Sequence, residues 1–401
     1  MQDINQQQCM ISSKQSHILY GLMLFVMIAR HTLYLEELLL VDRVLSVLRF
    51  AFIPVCVYLL VKNKKQTTLL DWGMVVYGCI ILYSSLYHHI LFADIVPFIS
   101  TTLDIFIIWT ILRTFFANND DFPVKALTIS LSLFIYLNFI LLLLFPNGIW
   151  EGKELDAAPR FFLGGNYNQM GKAFILAIAL NSIYTHRNAQ LKKNLILLSA
   201  ISVISLLLVG SKTSTVGVII LILFTLLPSA KLRSAGLLAF VIVYCVFQVT
   251  IVFQGNEVTN HYVVDFVENV LHKDMTFTYR TDIWYQSVLS IAHSPVIGYG
   301  YQSPEWYEQE IGGVMPHNYV LSVLMKGGLI LLLCTISNVL LAYRQYRKHN
   351  NYTHQILFIT LFVMLFMQLF EVYSFAITAI LFTCLSYIHL IDERNDKTTA
   401  L

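Results

Sequence analysis

The feature that most limits how this chain can fold is a series of apolar runs, each near twenty residues long and set apart by short polar breaks. In hydrocarbon a backbone must satisfy its own hydrogen bonds, so runs of this kind imply helices that cross a membrane. The segments 16–36, 43–61, 68–90, 95–116, 124–145, 166–185, 193–209, 212–228, 235–254, 317–342, 354–372 and 373–391 fit this description, giving about twelve spans. The run at 43–61 is the weakest, because Arg43 and Arg49 flank or enter it. Only a tight turn near Glu371 parts the last two.

Composition excludes the soluble alternative. Charged residues make up 12% of the chain, against about 25% in ordinary soluble proteins. A net charge of +2 carries no nucleic-acid signature. Of six cysteines, five lie in apolar runs, and no Cys-x-x-Cys occurs, so neither a disulfide framework nor a zinc motif is expected. The polar start Met1-Gln2-Asp3 and the lack of a small-residue cleavage site favour a retained first helix over a signal peptide. The expected fold is therefore all-α: one polytopic integral membrane domain over residues 1–401.

Short-loop Lys and Arg orient the spans. Lys62, Lys64 and Lys65, then Arg113 and Lys125, then Arg187, Lys192 and Lys193, then Lys231 and Arg233, then Arg344, Arg347 and Lys348 all fall on one side. That side is expected to be cytoplasmic, with both termini. Two longer loops then face outward, one from Phe145 to Gly165 and one over 255–316. The second shows amphipathic helical patterning at 263–271 and 282–292, suited to a membrane surface. No internal repeat and no interrupted span is visible.

Four outer features could carry chemistry. His317 follows Pro316 and opens an apolar helix, where the helix dipole favours a neutral imidazole able to accept a proton. Arg280 offers a planar fork of donors for phosphate oxygens. Lys212, in Gly210-Ser211-Lys212-Thr213, places a cation beside amides at a helix start. Arg160, with Gly164-Gly165-Asn166, closes the first outer loop with donors and glycines suited to sugar or phosphate oxygens. Each has a structural alternative: a boundary histidine, an arginine paired with Asp282 or headgroups, a snorkelling lysine, a loop-to-helix turn. Together, three cations and a histidine on one side favour an anionic, phosphate-bearing substrate.

The same residues carry a resemblance. Gly210-Ser211-Lys212-Thr213, Arg280…Trp284…Ser294-Pro295…Gly298-Tyr299-Gly300, His317-Asn318…Gly327-Gly328 and Arg160…Gly164-Gly165-Asn166…Gly171 resemble the O-antigen polymerase and O-antigen ligase superfamily of bacterial membrane glycosyltransferases. One departure is Lys212, at a position where the family usually has Arg. The resemblance implies a GT-C-like fold in the bacterial inner membrane with its active site on the extracytoplasmic face, in the loop 255–316. It implies metal-independent, inverting transfer from a glycan on undecaprenyl diphosphate to a lipid-linked acceptor, with no cofactor and no metal ligands. His317 would be the general base. Arg280, Lys212, Arg160, Asn318 and Asn166 would bind diphosphate or sugar. A chain-length regulator protein is an implied partner. Met315-Pro316 before His317, where ligases often have a second His, favours polymerase over the alternative of ligation to lipid A core. A lipid-linked oligosaccharide flippase or other transporter is the reading from another class.

Overall fold

The computed structural model describes residues 2–34, 38–62, 67–118, 120–151, 160–166, 168–187, 192–254 and 280–391. The expected amphipathic segment at 263–271 lies outside the described residues.

Every one of the apolar runs falls on a helix. The helices are α1 (Gln2–Thr32), α2 (Leu39–Lys62), α3 (Leu69–Tyr87), α4 (Phe92–Ala117), α5 (Phe122–Leu144), α6 (Gly171–Arg187), α7 (Lys192–Val209), α8 (Lys212–Leu226), α9 (Ala230–Phe247), α10 (Arg280–His293), α11 (Pro304–Ile311), α12 (Tyr319–His349), α13 (Tyr352–Met367) and α14 (Phe375–Tyr387). Seven helical stretches are long and apolar enough to cross a membrane by length and composition. The chain is a multi-pass, all-helical membrane protein. Its only strands among the described residues are short: β1 (Trp150–Glu151), β2 (Arg160–Phe162) and β3 (Gly165–Asn166), antiparallel in that order.

Helix α6 is the centre. Every residue from Ala173 to Leu180 is essentially inaccessible, and α5, α7, α8 and α13 surround it. The outer helices do the reverse. On α9 and the turn that continues it, Leu238, Ile242, Val243, Val246 and Val249 are exposed, mostly at three- and four-residue spacing. An apolar stripe that large would be costly in water and is stable facing lipid.

Arg49, the oddity of the second run, is buried and explained by partners. It hydrogen-bonds Ser100 and lies 3.7 Å from Asp104, which also takes a 3.2 Å contact from Arg30. A charge inside a membrane helix is tolerated when it is paired in this way.

One expectation is corrected. The run 317–342 is not a single straight span. Helix α12 is broken at Gly327 (φ −151°, ψ 16°) and Gly328 (φ 60°, ψ −157°). The segment Ser294–Gly300 fills the break and takes up the freed backbone groups. The N–H groups of Tyr299 and Gly300 donate to Met325 and Lys326 carbonyls at 2.6 and 3.0 Å. In return Leu329 and Ile330 donate to Pro295 and Val296 carbonyls at 2.8 and 3.3 Å. Irregular backbone at membrane depth is stable only when protein satisfies it. The two glycines thus serve a backbone-to-backbone joint, and not the helix packing that a glycine pair usually signals.

Candidate functional site

The polar site is assembled by anchors in the apolar core. Trp284 of α10 is fully buried in a cluster with Ile251, Val252 and Leu321, and its ring lies 6.3 Å from Phe370. Arg280 stands one turn before Trp284, on the same helix face. Seating Trp284 therefore aims Arg280 at the turn joining α13 to α14. There its Nη2 lies 3.7 Å from Glu371 Oε2.

His317 reaches the other oxygen of the same carboxylate, with Nδ1 3.7 Å from Glu371 Oε1. Its backbone is left-handed (φ 49°), a conformation that costs a non-glycine residue roughly 1–2 kcal/mol. Such strain persists only where the surroundings over-determine it, and here they do. Asn318, wholly buried, caps α12 by accepting from the Leu321 N–H at 3.1 Å. Its amide also donates to Gln248 Oε1 at 3.1 Å and to the Leu369 carbonyl at 3.2 Å. Gln248 opens a π-helical turn, Gln248–Val252, that continues α9. Helix α12 thus starts at Tyr319, and His317 stands just outside its N-terminus.

Glu371 is only 5% exposed, and a buried carboxylate is costly unless partnered. Besides Arg280 and His317, Gln169 Nε2 approaches its Oε1 at 3.4 Å, and Lys172 Nζ donates to Gln169 Oε1 at 3.1 Å. Tyr373, two residues on, donates to the Asn168 carbonyl at 3.1 Å. Burial first, then the adjacent Glu371 charge, pushes the Tyr373 phenol well above its ordinary pKa, so it stays a hydrogen-bond donor.

The two glycine-bearing motifs meet here as well. A Cβ on Gly171 would fall 2.4 Å from Ser214 Oγ, so α6 and α8 approach at van der Waals distance. The second motif reaches the cluster through Ser214, which packs against Gly171 and lies close to Tyr373. Lys212 opens α8 with an exposed side chain and, among the described residues, makes no ion pair with the cluster. The lysine near Glu371 is the half-buried Lys172. Arg160 and Asn166 lie in β2 and β3; their side chains lie outside what is described.

A cavity of about 520 Å³ runs between α3, α4 and α12. Tyr77, Phe98, Phe106 and Trp109 line it, as do Pro316 and Tyr373, the neighbours of His317 and Glu371. Lys326 also lines it, its ammonium 5.7 Å from the Tyr301 ring centroid.

Glu371, Gln169, Lys172 and Tyr373 are not singled out by the sequence motifs. Glu371 does carry a signal: it is the only carboxylate between Ile311 and Ile391. A lone carboxylate in so long a stretch, between two apolar runs, points to function.

Residues 197–336 match a family model, Wzy_C, described as O-Antigen ligase. The matched span holds Lys212, Arg280, His317 and the break in α12, and it ends before Glu371. A comparison with curated proteins gives no match. The match supports glycosyl transfer of the O-antigen ligase or polymerase type. Over residues 197–336 the chain is therefore similar to Wzy_C, and that segment within a multi-pass helical fold is consistent with the O-antigen polymerase and ligase superfamily.

Proposed function

We propose that this protein is a polymerase of lipid-linked glycans in the bacterial inner membrane, working on the extracytoplasmic face. It would join undecaprenyl-diphosphate-linked repeat units by metal-independent, inverting transfer. The observation that carries this reading is the placement of His317 and Arg280 on the two oxygens of Glu371.

With Nδ1–H turned to the carboxylate, His317 keeps its Nε2 lone pair for the acceptor hydroxyl. A base oriented by a third group is the common arrangement for activating a weak nucleophile. The contact is longer than a hydrogen bond, as such contacts often are without substrate. The acceptor oxygen bonds to the anomeric carbon, and its proton passes to Nε2. The anomeric carbon–oxygen bond breaks on the opposite face, and its electron pair leaves with the diphosphate. Arg280 stabilises that departing charge, with Lys172 and the Tyr373 hydroxyl beside it. Lys212, exposed at the start of α8, would meet the bound substrate at the rim, as would Arg160 and Asn166 from the adjoining strands. Asn318 would act by holding His317. The aromatic cavity that Pro316 and Tyr373 help to line suits the first isoprene units of the donor. A chain-length regulator protein would be the polymerase's partner.

Ligation is the second reading, favoured because the matched family is described as O-Antigen ligase. Incubating the purified protein with lipid-linked repeat units tests both. A ladder of lengthened glycans supports polymerisation, and transfer only to lipid A core supports ligation. No product with either acceptor would overturn glycosyl transfer and return the broken α12 to a transport reading.

A further inference from the structure

A second group of chemistry-bearing side chains lies away from the transfer site. Helix α12 ends at His349. A two-residue turn, Asn350-Asn351, leads into α13, whose first turn holds His354. His389 follows α14 in the chain's last described helical turn. Three separate elements thus bring their imidazoles together. The ring centroids are 4.2 Å apart for His349 and His389, and 4.7 Å for His349 and His354. One ligating nitrogen from each ring lies within 4.8 Å of the other two.

We propose that His349, His354 and His389 form a binding site for a divalent transition-metal ion of the zinc class. His354 fixes the chemistry. It is wholly buried, and its Nδ1 lies 2.8 Å from Asn351 Oδ1, which also accepts the His354 backbone N–H at 2.9 Å. An amide oxygen only accepts, so the proton sits on Nδ1 and the lone pair on Nε2. A hydrogen bond that sets tautomer and ring orientation is the usual support of a metal-ligating histidine. Tetrahedral coordination with bonds near 2.0–2.1 Å needs nitrogens about 3.3 Å apart, so each ring has to shift by only about 1 Å. The three-imidazole set, with no carboxylate in the group, suits zinc, copper or nickel rather than magnesium or calcium. Three protein ligands leave a fourth position for water.

The bound ion would clasp the end of α12 to the start of α13 and the end of α14. These are the helices whose opposite ends carry the Asn318 cap and the Glu371 turn. The ion takes no part in glycosyl transfer, so the proposal stands apart from the catalytic reading.

The test uses full-length protein purified without a polyhistidine tag, stripped with chelator and titrated with Co²⁺. One ion per chain with the visible absorption of tetrahedral cobalt, displaced by Zn²⁺, is the expected result. Binding should also raise the melting temperature. His354→Ala and His389→Ala should each weaken binding by tenfold or more; His389 is partly exposed and its variant tests the site without emptying the core. Folded wild-type protein that takes up no Co²⁺ would overturn the proposal. So would variants that bind it as tightly as the wild type.

Discussion

The Tyr319 side chain lies close to that of Thr335, sixteen residues further along α12. In a straight helix those residues would stand about 24 Å apart. The first arm of α12 therefore folds back along the second, and Gly327-Gly328 is the bend. Tyr319 packs with Tyr77 of α3 in the same cluster as Leu331. This carries the start of α12, and His317 with it, inward along α3. The base of the proposed reaction stands inside the helical bundle, next to Pro316 in the wall of an aromatic cavity.

The bend gives a first prediction. A Cβ on Gly328 would fall 2.2 Å from the Val296 carbonyl, at a φ of 60°. Gly328→Ala should cost roughly 2–4 kcal/mol, combining left-handed strain with overpacking. Gly312 also has positive φ, but nothing lies within 4 Å of its Cβ position. Gly312→Ala should cost only about 1–2 kcal/mol, the strain alone. Melting of both variants in detergent checks the order. Equal losses would show that the joint with Val296 is not tight.

The spans were legible because hydrocarbon imposes one pattern on every crossing segment, and each apolar run is a helix. The bend was not, since a mid-helix Gly327-Gly328 reads as packing. Only the Ser294–Gly300 segment, seated against it, shows that the pair is a break. Arg280 and His317 stood out through residue type and local setting. Their common partner did not, because contacts between Glu371 and residues far away in the chain leave no local signal. Lys212 and Lys172 each open an apolar helix near a glycine. Nothing local tells that α6 is central and so half-buries Lys172 beside Glu371, while Lys212 is left exposed.

Glu371→Gln should keep the shape of the turn and remove the charge that orients His317. With the wrong imidazole tautomer favoured, transfer should fall by on the order of 10²-fold or more. The loss should appear in kcat, with donor KM changed little. An unchanged kcat in a protein that melts like the wild type would reduce Glu371 to a structural partner of Arg280.

Arg280→Lys keeps the positive charge and loses the fork of donors. If Arg280 holds the departing diphosphate, turnover should drop at least tenfold. Steady-state rates on lipid-linked repeat units measure this. Wild-type turnover would mean that the guanidinium serves only to neutralise Glu371.

The two lysines can be ranked by experiment. Lys172→Met retains the half-buried stem and deletes the charge beside Glu371. Lys212→Met does the same at an exposed position. The first should lower activity more than the second, because charge interactions weaken where solvent screens them. The opposite order would shift the phosphate-binding role to the start of α8.

His317 needs a substitution chosen for its backbone. Alanine would combine loss of the imidazole with strain at φ 49°, and a fall in activity could then reflect distortion of the α12 start. Asparagine tolerates the left-handed region far better. His317→Asn should leave expression, melting and donor binding near wild type. Its amide can hydrogen-bond a sugar hydroxyl but cannot accept the proton, so the base's contribution, about 10²–10⁴-fold, should be lost. Polymer yield at matched protein levels is the measurement. Normal chain lengths from His317→Asn would rule out general-base catalysis and leave His317 as a residue that shapes the entry to α12.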